Sequence, residues 1–449
     1  MVDTGEAHPP GKGANYTDVI YVMGDANRRA EDTKASSSPA RLQPLRPSAY
    51  LDQWLWIRLA SASLGKPREP SDVELLDALV AAADSGVAFP LSPTHYIETL
   101  RVRDPAQRAA LAEVMGAVSH CRTLRSRRGL LRDQLLLVMH ERFGRPAFRP
   151  ERGGPFGVGV HWAFTGKVSL LRVYSSETGE PVRSATVTDE ILCRWNQWSQ
   201  IQFLAGPRDD DVDRMRERYG YMPELTEEAG MSRLAWEADF AGLLQGDPVT
   251  AKEVRLRVQV REVVHELIEL LVETFAVYAL PIRVLMGGER STEGRREFVV
   301  SFFDSMPSVR VAVDLKAAVY RNNTRGWSLN DLYDTDAMSL AVPYCDVVVA
   351  DKATVDALVR AKTGERTGTL VTSRPDELLE VLPDLVARAR LLADPSGWDR
   401  VAPGVGWAPM SPEEFAAAHG CPGPPSPDGG RPAARRAPPH SRTAPTFDS

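Results

Sequence analysis

The chain has 449 residues, a net charge of −6, and 43% hydrophobic and 25% charged residues, which leaves room for two or three domains and excludes a protein that grips nucleic acid by bulk positive charge. Its four cysteines, Cys121, Cys193, Cys345 and Cys421, are scattered without a CxxC pair, which argues against a zinc site or a disulfide framework and for reduced thiols. No apolar run approaches the ~20 residues of a membrane span and the N-terminus lacks a basic-then-apolar leader, so a cytoplasmic protein without membrane contact is expected.

Residues 1–46 are expected to be a flexible lead-in, polar and rich in Ser, Pro and Arg over 24–48; the preceding YTDVIYVMG reads as a short strand or an interaction peptide. Block 47–126 opens with AYLDQWLWIRLASASLG, a short apolar approach to Asp52 that runs into a helix. DVELLDALVAAADSG has apolar residues at helical spacing and a Gly stop. PLSPTHYIETLRV offers Ser92 or Thr94 as the cap of a helix that carries His95, Tyr96 and Glu98, and Pro105 opens another.

Block 127–299 has a different texture and reads as an inserted, mixed but mostly helical domain. GPFGVGVHWAFTGKVSLLRVY is Gly-punctuated and β-leaning, 208–245 is helical and highly charged, and 251–280 has the periodicity of one long helix with a broad buried stripe. Block 300–395 returns to α/β patterning. Helical PSVRVAVDLKAAVYRNN and NDLYDTDAMSLAVPY are followed by the strand CDVVVADK, the helix ATVDALVRAKTG, the strand GTLVTS and a last helix from Pro375. That alternation predicts parallel pairing with right-handed crossovers. Residues 396–449 are Pro-rich and expected to be disordered.

Four acids stand where sheet-based sites usually form. Asp52 and Asp351 follow short apolar runs, and ligands of open α/β sheets bind beyond the carboxyl ends of strands. Glu98 and Asp336 lie in the opening turns of helices, where negative charge is tolerated. Carboxylates gathered in this way repel one another unless cations hold them. Hard oxygen ligands suit Mg²⁺ or Mn²⁺, which activate water for in-line attack on a phosphate. By spacing alone any one of these acids reads as a helix cap ahead of a metal ligand.

AYLDQWLWIRLA, SPTHYIETLRVRDPAQRAALAEVM and NDLYDTDAMSLAVPYCDVVVADK resemble, in that order, the first, the second, and the joined third and fourth acidic motifs of PIN-like nuclease domains. GTLVTSRPDELLEVL is similar to the last strand and helix of that fold. The resemblance implies a three-layer α/β/α domain with a central parallel sheet, split into 47–126 and 300–395 by a long insertion. It implies a metal-dependent endonuclease, RNA ahead of DNA as substrate, that holds Mg²⁺ or Mn²⁺ on Asp52, Glu98, Asp336 and Asp351. Asp334 and Asp331 are close enough in sequence to Asp336 to share or replace its role. Gln53 after Asp52 and Ala350 before Asp351 depart from the family pattern and thin the support around the ligands. A toxin or defence role is an analogy with small nucleases of this type. The alternative is a catalytically silent scaffold that binds RNA or a protein. The insertion offers a surface for self-association or for a regulatory partner.

Other features have plainer readings. His265-Glu266 lacks the second His of a zinc-protease helix, and the glycines of 154–159 lack the Lys-Ser/Thr pair of a phosphate loop, so a turn is expected there, as at GGER 287–290. His95 reads as a helix-start residue ahead of a phosphate contact, and Trp54 and Trp56 as core residues ahead of base-stacking ones. Arg122, Arg125, Arg127 and Arg128 read as a solvated face ahead of a phosphate-guiding edge.

Overall fold

A computed structural model of the protein describes residues 19–25, 46–144, 154–175, 178, 188–245, 249–281, 283, 287–322, 326–392, 404–411, 413, 414 and 417. Most of the lead-in and of the Pro-rich tail lies outside the described residues. The fold is α/β: mostly helical, around a small parallel sheet.

β1 (Val19–Asp25), in the segment read as a short strand or interaction peptide, pairs antiparallel with β5 (Ser169–Ser175). The central sheet has the order β2–β6–β7, with β2 (Ala49–Leu51), β6 (Val347–Val349) and β7 (Leu370–Thr372) all parallel. Isolated parallel bridges continue it beyond β2, from Ser48 to Ala88 and from Leu91 to Thr123 of β3 (Arg122–Leu124), and β3 pairs antiparallel with β4 (Phe156–Val158). Chain segments therefore leave β2 on both sides, 88–91 on one and β6 on the other. The order in which the chain adds segments to the sheet switches sides at β2, the position at which α/β sheets open a crevice beyond their strand ends.

The two sheet faces enter different cores, because side chains alternate along a strand. Ala49, Leu51, Val347 and Val349 pack with α1 (Gln53–Ser63), α2 (Ser71–Asp84), α4 (Pro105–Ser119) and the last helix, Pro375–Leu391. Tyr50 and Val348 pack on the other side with helices Pro307–Arg321, Leu329–Ala341 and Lys352–Arg360. With both faces covered, these strands need continuous apolar runs, and VVV is one.

Block 127–299 is not one separate body. β4, α6 (Gly159–Thr165), β5 and α7 (Asp189–Ala205) send Val158, Ala163, Leu170, Cys193 and Leu204 into the first core. Its other helices are α5 (Arg127–Phe143), α8 (Val212–Tyr219), α9 (Pro223–Gln245), α10 (Ala251–Glu262), α11 (Ile268–Val277) and α12 (Thr292–Asp304). All of these except α8 build a further core, and α13 (Pro307–Arg321), from beyond the expected boundary at 299, joins them through Val309 and Val313. The expected single helix over 251–280 is interrupted: Val263–Leu267 forms a π turn between α10 and α11. In chain order the remaining helices are α14 (Leu329–Ala341), α15 (Lys352–Arg360), α16 (Thr363–Thr367) and α17 (Pro375–Leu391). Cys121, Cys193 and Cys345 are buried and form no disulfide. Among the described residues no helix is long and apolar enough to cross a membrane.

Candidate functional site

Asp52 follows β2 and caps α1, its carboxylate accepting from Gln53 N–H at 2.8 Å. Its own N–H donates to the Val349 carbonyl at 3.0 Å, which locks it to the end of β6. Asp351, two residues beyond β6, caps α15 and accepts from Ala353 N–H at 2.7 Å and Thr354 N–H at 3.2 Å. The Asp351 backbone N–H also points at the Asp52 carboxylate. Two strand ends that are neighbours in the sheet thus put these acids side by side, although 298 residues of chain separate the strands they follow (Ser48 to Asp346).

Glu98 comes from the second turn of α3 (Pro93–Arg101). That helix starts at the end of the 88–91 segment, where the Ser92 N–H donates to His95 Nδ1 at 3.0 Å. His95 is buried, stacks on Tyr50 with ring centroids 5.0 Å apart, and is driven by burial down to about 3, so it is a neutral capping residue. The Tyr50 hydroxyl reaches Ser92 Oγ at 2.9 Å, and Ser92 reaches Thr94 at 2.6 Å, a buried polar chain that fixes the start of α3.

Asp334 and Asp336 are two residues apart on α14, hence about 200° apart around the helix, and look in opposite directions. Asp334 faces the other acids. Burial first, then the charges of Asp52, Asp351, Glu98 and Asp331, push its carboxyl up to about 9. Burial and then the Asp52 charge push Glu98 up to about 8, with Arg101 pulling the other way. Burial, aided by Asp351 and opposed by the Gln53 and Asp351 N–H groups, raises Asp52 to about 6. These groups feel one another's charge, and Glu98 and Asp334 keep protons at neutral pH that an ordinary carboxylic acid has lost.

The expectation for Asp336 is corrected. Its carboxylate is gripped by Arg233 of α9 through two bonds of 2.7 and 3.0 Å, with Arg127 Nε 3.9 Å away. Burial alone raises its carboxyl, but Arg233 and Arg127 outweigh burial and hold it below the ordinary value. Asp336 therefore belongs to a structural ion network, and Asp334 takes its place in the acidic group. Asp331 is used locally, its carboxylate accepting from Ser328 N–H at 2.9 Å as the partner in a capping box.

The network beyond Asp336 is extensive. Lys316 of α13, 1% exposed, donates to Glu262 at 2.7 Å and lies 3.1 Å from Glu237. Arg261 bonds Glu237 at 2.8 Å, and Arg127 bonds both Glu262 and Glu266, the latter at 2.6 Å. Four cations (Arg127, Arg233, Arg261, Lys316) meet four anions (Glu237, Glu262, Glu266, Asp336), so each buried charge is paired, as burial demands. Within the basic run only Arg127 enters this network, and Arg128 stays on the exposed face. Arg127 is bound in the network, Arg125 bonds Asp133, and Arg128 bonds Glu273 at 2.6 Å. His265 lies against Trp236 at 5.5 Å. Trp56 is fully buried in the core, and Trp54 lies partly exposed under Arg58. Gly159, at φ +84°, has its backbone against the Gln200 amide, a turn contact rather than a phosphate cradle.

Among the described residues no group of three or more His, Cys, Asp or Glu side chains is placed to hold a metal ion as it stands. The donor set is nevertheless all oxygen, drawn from four chain segments, and Glu98 and Asp334 hold protons that a cation would displace. Arg101, exposed at the end of α3, lies 5.6 Å from the Tyr333 ring and within electrostatic reach of Glu98. It is the residue at this site that sequence reasoning missed, because nothing in the order of residues brings α3 to α14. A scan against protein-family models finds no match, and searches of curated proteins and of solved structures find none either.

Proposed function

We propose that the protein is a metal-dependent endonuclease of the PIN-like type, in which Asp52, Glu98, Asp334 and Asp351 hold one or two Mg²⁺ or Mn²⁺ ions. The observation that carries this reading is that Asp52 and Asp351 stand at the ends of adjacent parallel strands, with Glu98 of α3 and Asp334 of α14 close enough for their charges to couple, which helps raise Glu98 and Asp334 to about 8 and 9. A bound divalent ion supplies Lewis-acid polarisation of the phosphate and a water ionised near neutral pH. The chain's own residues do the rest. Asp52 and Asp351 are fixed by backbone N–H groups and hold their oxygens in place without reorganisation. Glu98 and Asp334, whose protons a bound ion would displace, would complete the set of oxygens that holds it. Arg101 is placed to meet a phosphate oxygen that approaches past Glu98.

RNA is the preferred substrate in this reading, on the resemblance of the acidic motifs. The test is to incubate labelled RNA and DNA with the protein in Mn²⁺, in Mg²⁺ and in EDTA. Cleavage that needs the metal and is lost in Asp52→Asn and Asp351→Asn supports the reading. Unchanged nucleic acid with every metal, while RNA binding persists, turns the assignment to a silent scaffold.

A further inference from the structure

α9 carries apolar residues on all sides, yet it buries only one seam, Gly230, Glu237 and Leu244. A helix with apolar residues all round is normally covered all round. Next to it lies the segment α10–π turn–α11, packed antiparallel so that Glu237 meets Arg261 at 2.8 Å and Trp236 meets His265 at 5.5 Å. The two helices leave one face uncovered: Trp236, Leu243, Val260, Val264, Ile268 and Val272, each between 40 and 72% exposed.

The π turn straightens this face. At 3.6 residues per turn, positions four apart drift about 40° around a helix. The wider turn at Val263–Leu267 sends that drift backwards for one step. Val260, Val264, Ile268 and Val272 therefore run nearly in line for about 18 Å, instead of spiralling away. A π turn inside an otherwise regular helix has a cause or a use, and here it lines up an apolar edge.

The charges beside the stripe say what covers it. Arg257 lies on the flank near its start, and Glu273 on the same flank near its end. Two such helices packed parallel bring Arg257 to Arg257 and Glu273 to Glu273. Packed antiparallel about a twofold axis at His265, midway between them, Arg257 of each copy comes opposite Glu273 of the other. Each already has an intrachain partner, Glu253 at 3.4 Å and Arg128 at 2.6 Å, so the contact extends two existing pairs across the axis. The surface is thus complementary to itself, as an isologous interface requires.

We infer that this face binds a second copy of the chain, two helices from each protomer forming an antiparallel four-helix interface. The inference is independent of the proposed nuclease activity. Sedimentation velocity of the full chain at low to mid micromolar concentration is expected to show a dimer. Val264→Glu combined with Ile268→Glu, both at exposed positions, is expected to weaken dimerisation at least ~100-fold with the helical circular dichroism unchanged. In a Cys421→Ser background, Val264→Cys treated with diamide as the two-electron oxidant is expected to form an interchain disulfide, because position 264 lies beside the axis. The disulfide decides the matter if the double variant fails to fold. A chain that stays monomeric at every concentration, a folded double variant that still dimerises, or a dimer of the Val264→Cys variant that does not cross-link overturns the inference.

Discussion

Glu98→Gln is the substitution whose effect follows most directly from the electrostatics of the acidic group. In the fold its carboxyl is raised to about 8, first by burial and then by Asp52, against an ordinary value of 4.5. Between these values the folded chain keeps a proton that the unfolded chain has released. The stabilisation this gives is fully present below the unfolded value and is lost as pH rises through about 8. Each pH step costs about 1.4 kcal/mol, so from about pH 5 to about pH 7.5 the parent loses about 3 kcal/mol through this residue alone. Glutamine has the same shape and nothing to titrate, and it eases Asp52 as well. In urea unfolding of metal-free protein, Glu98→Gln is therefore expected to match the parent at about pH 5 and to exceed it by about 3 kcal/mol at about pH 7.5. With Mn²⁺ at about 100 times its dissociation constant, the parent is expected to recover about 2.7 kcal/mol, while the variant gains little. A difference between variant and parent that is the same at both pH values, or that reverses, refutes the electrostatic reasoning.

The two acids of α14 are expected to give opposite phenotypes. Asp334→Asn abolishes Mn²⁺ binding in calorimetry and keeps or raises metal-free stability, whereas Asp336→Asn strands Arg233 and costs about 3–5 kcal/mol in urea unfolding while sparing metal binding in the folded fraction. Lys316→Met leaves Glu262 and Glu237 facing each other without their shared cation, and is expected to cost about 3–5 kcal/mol by the same measurement. Because Glu98 and Asp334 hold protons at neutral pH, Mn²⁺ affinity is expected to strengthen steadily from about pH 6 to about pH 8.5, with protons released on binding; a flat profile in calorimetry across two buffers of different ionisation heat contradicts this.

The strands and the helices around them were legible because their signals are local: VVV before Asp351, AYL before Asp52, the Gly stop after α2, and Pro105 opening α4. Asp52 and Asp351 could be singled out because a strand end is visible in sequence, and parallel pairing of β2 with β6 then sets them together. The choice between Asp334 and Asp336 was not available in that way. α14 is buried on both sides, against the sheet with Leu340 and Ala341 and toward α9 and α5 with Asp336, so no apolar stripe marks which face looks at the site. The partner that decides it, Arg233, lies 103 residues away. The ion network was illegible for the same reason: its charges look like those of a solvated surface until five helices close over them. Block 127–299 looked like a separable insertion from its change of texture, but α7 and α13 carry residues into cores on either side of both expected boundaries. The π turn has no residue signature in VVHEL beyond an ordinary helical pattern.

The central claim, that Asp52, Glu98, Asp334 and Asp351 form one metal-dependent catalytic group, is tested most directly by the cleavage of labelled RNA in Mn²⁺ by the parent, Asp334→Asn and Asp336→Asn, at a temperature where all three are folded. The account predicts cleavage by the parent that EDTA stops, loss of at least about 100-fold in Asp334→Asn, and near-parent activity in Asp336→Asn. Parent-level cleavage by Asp334→Asn, or loss confined to Asp336→Asn, contradicts it.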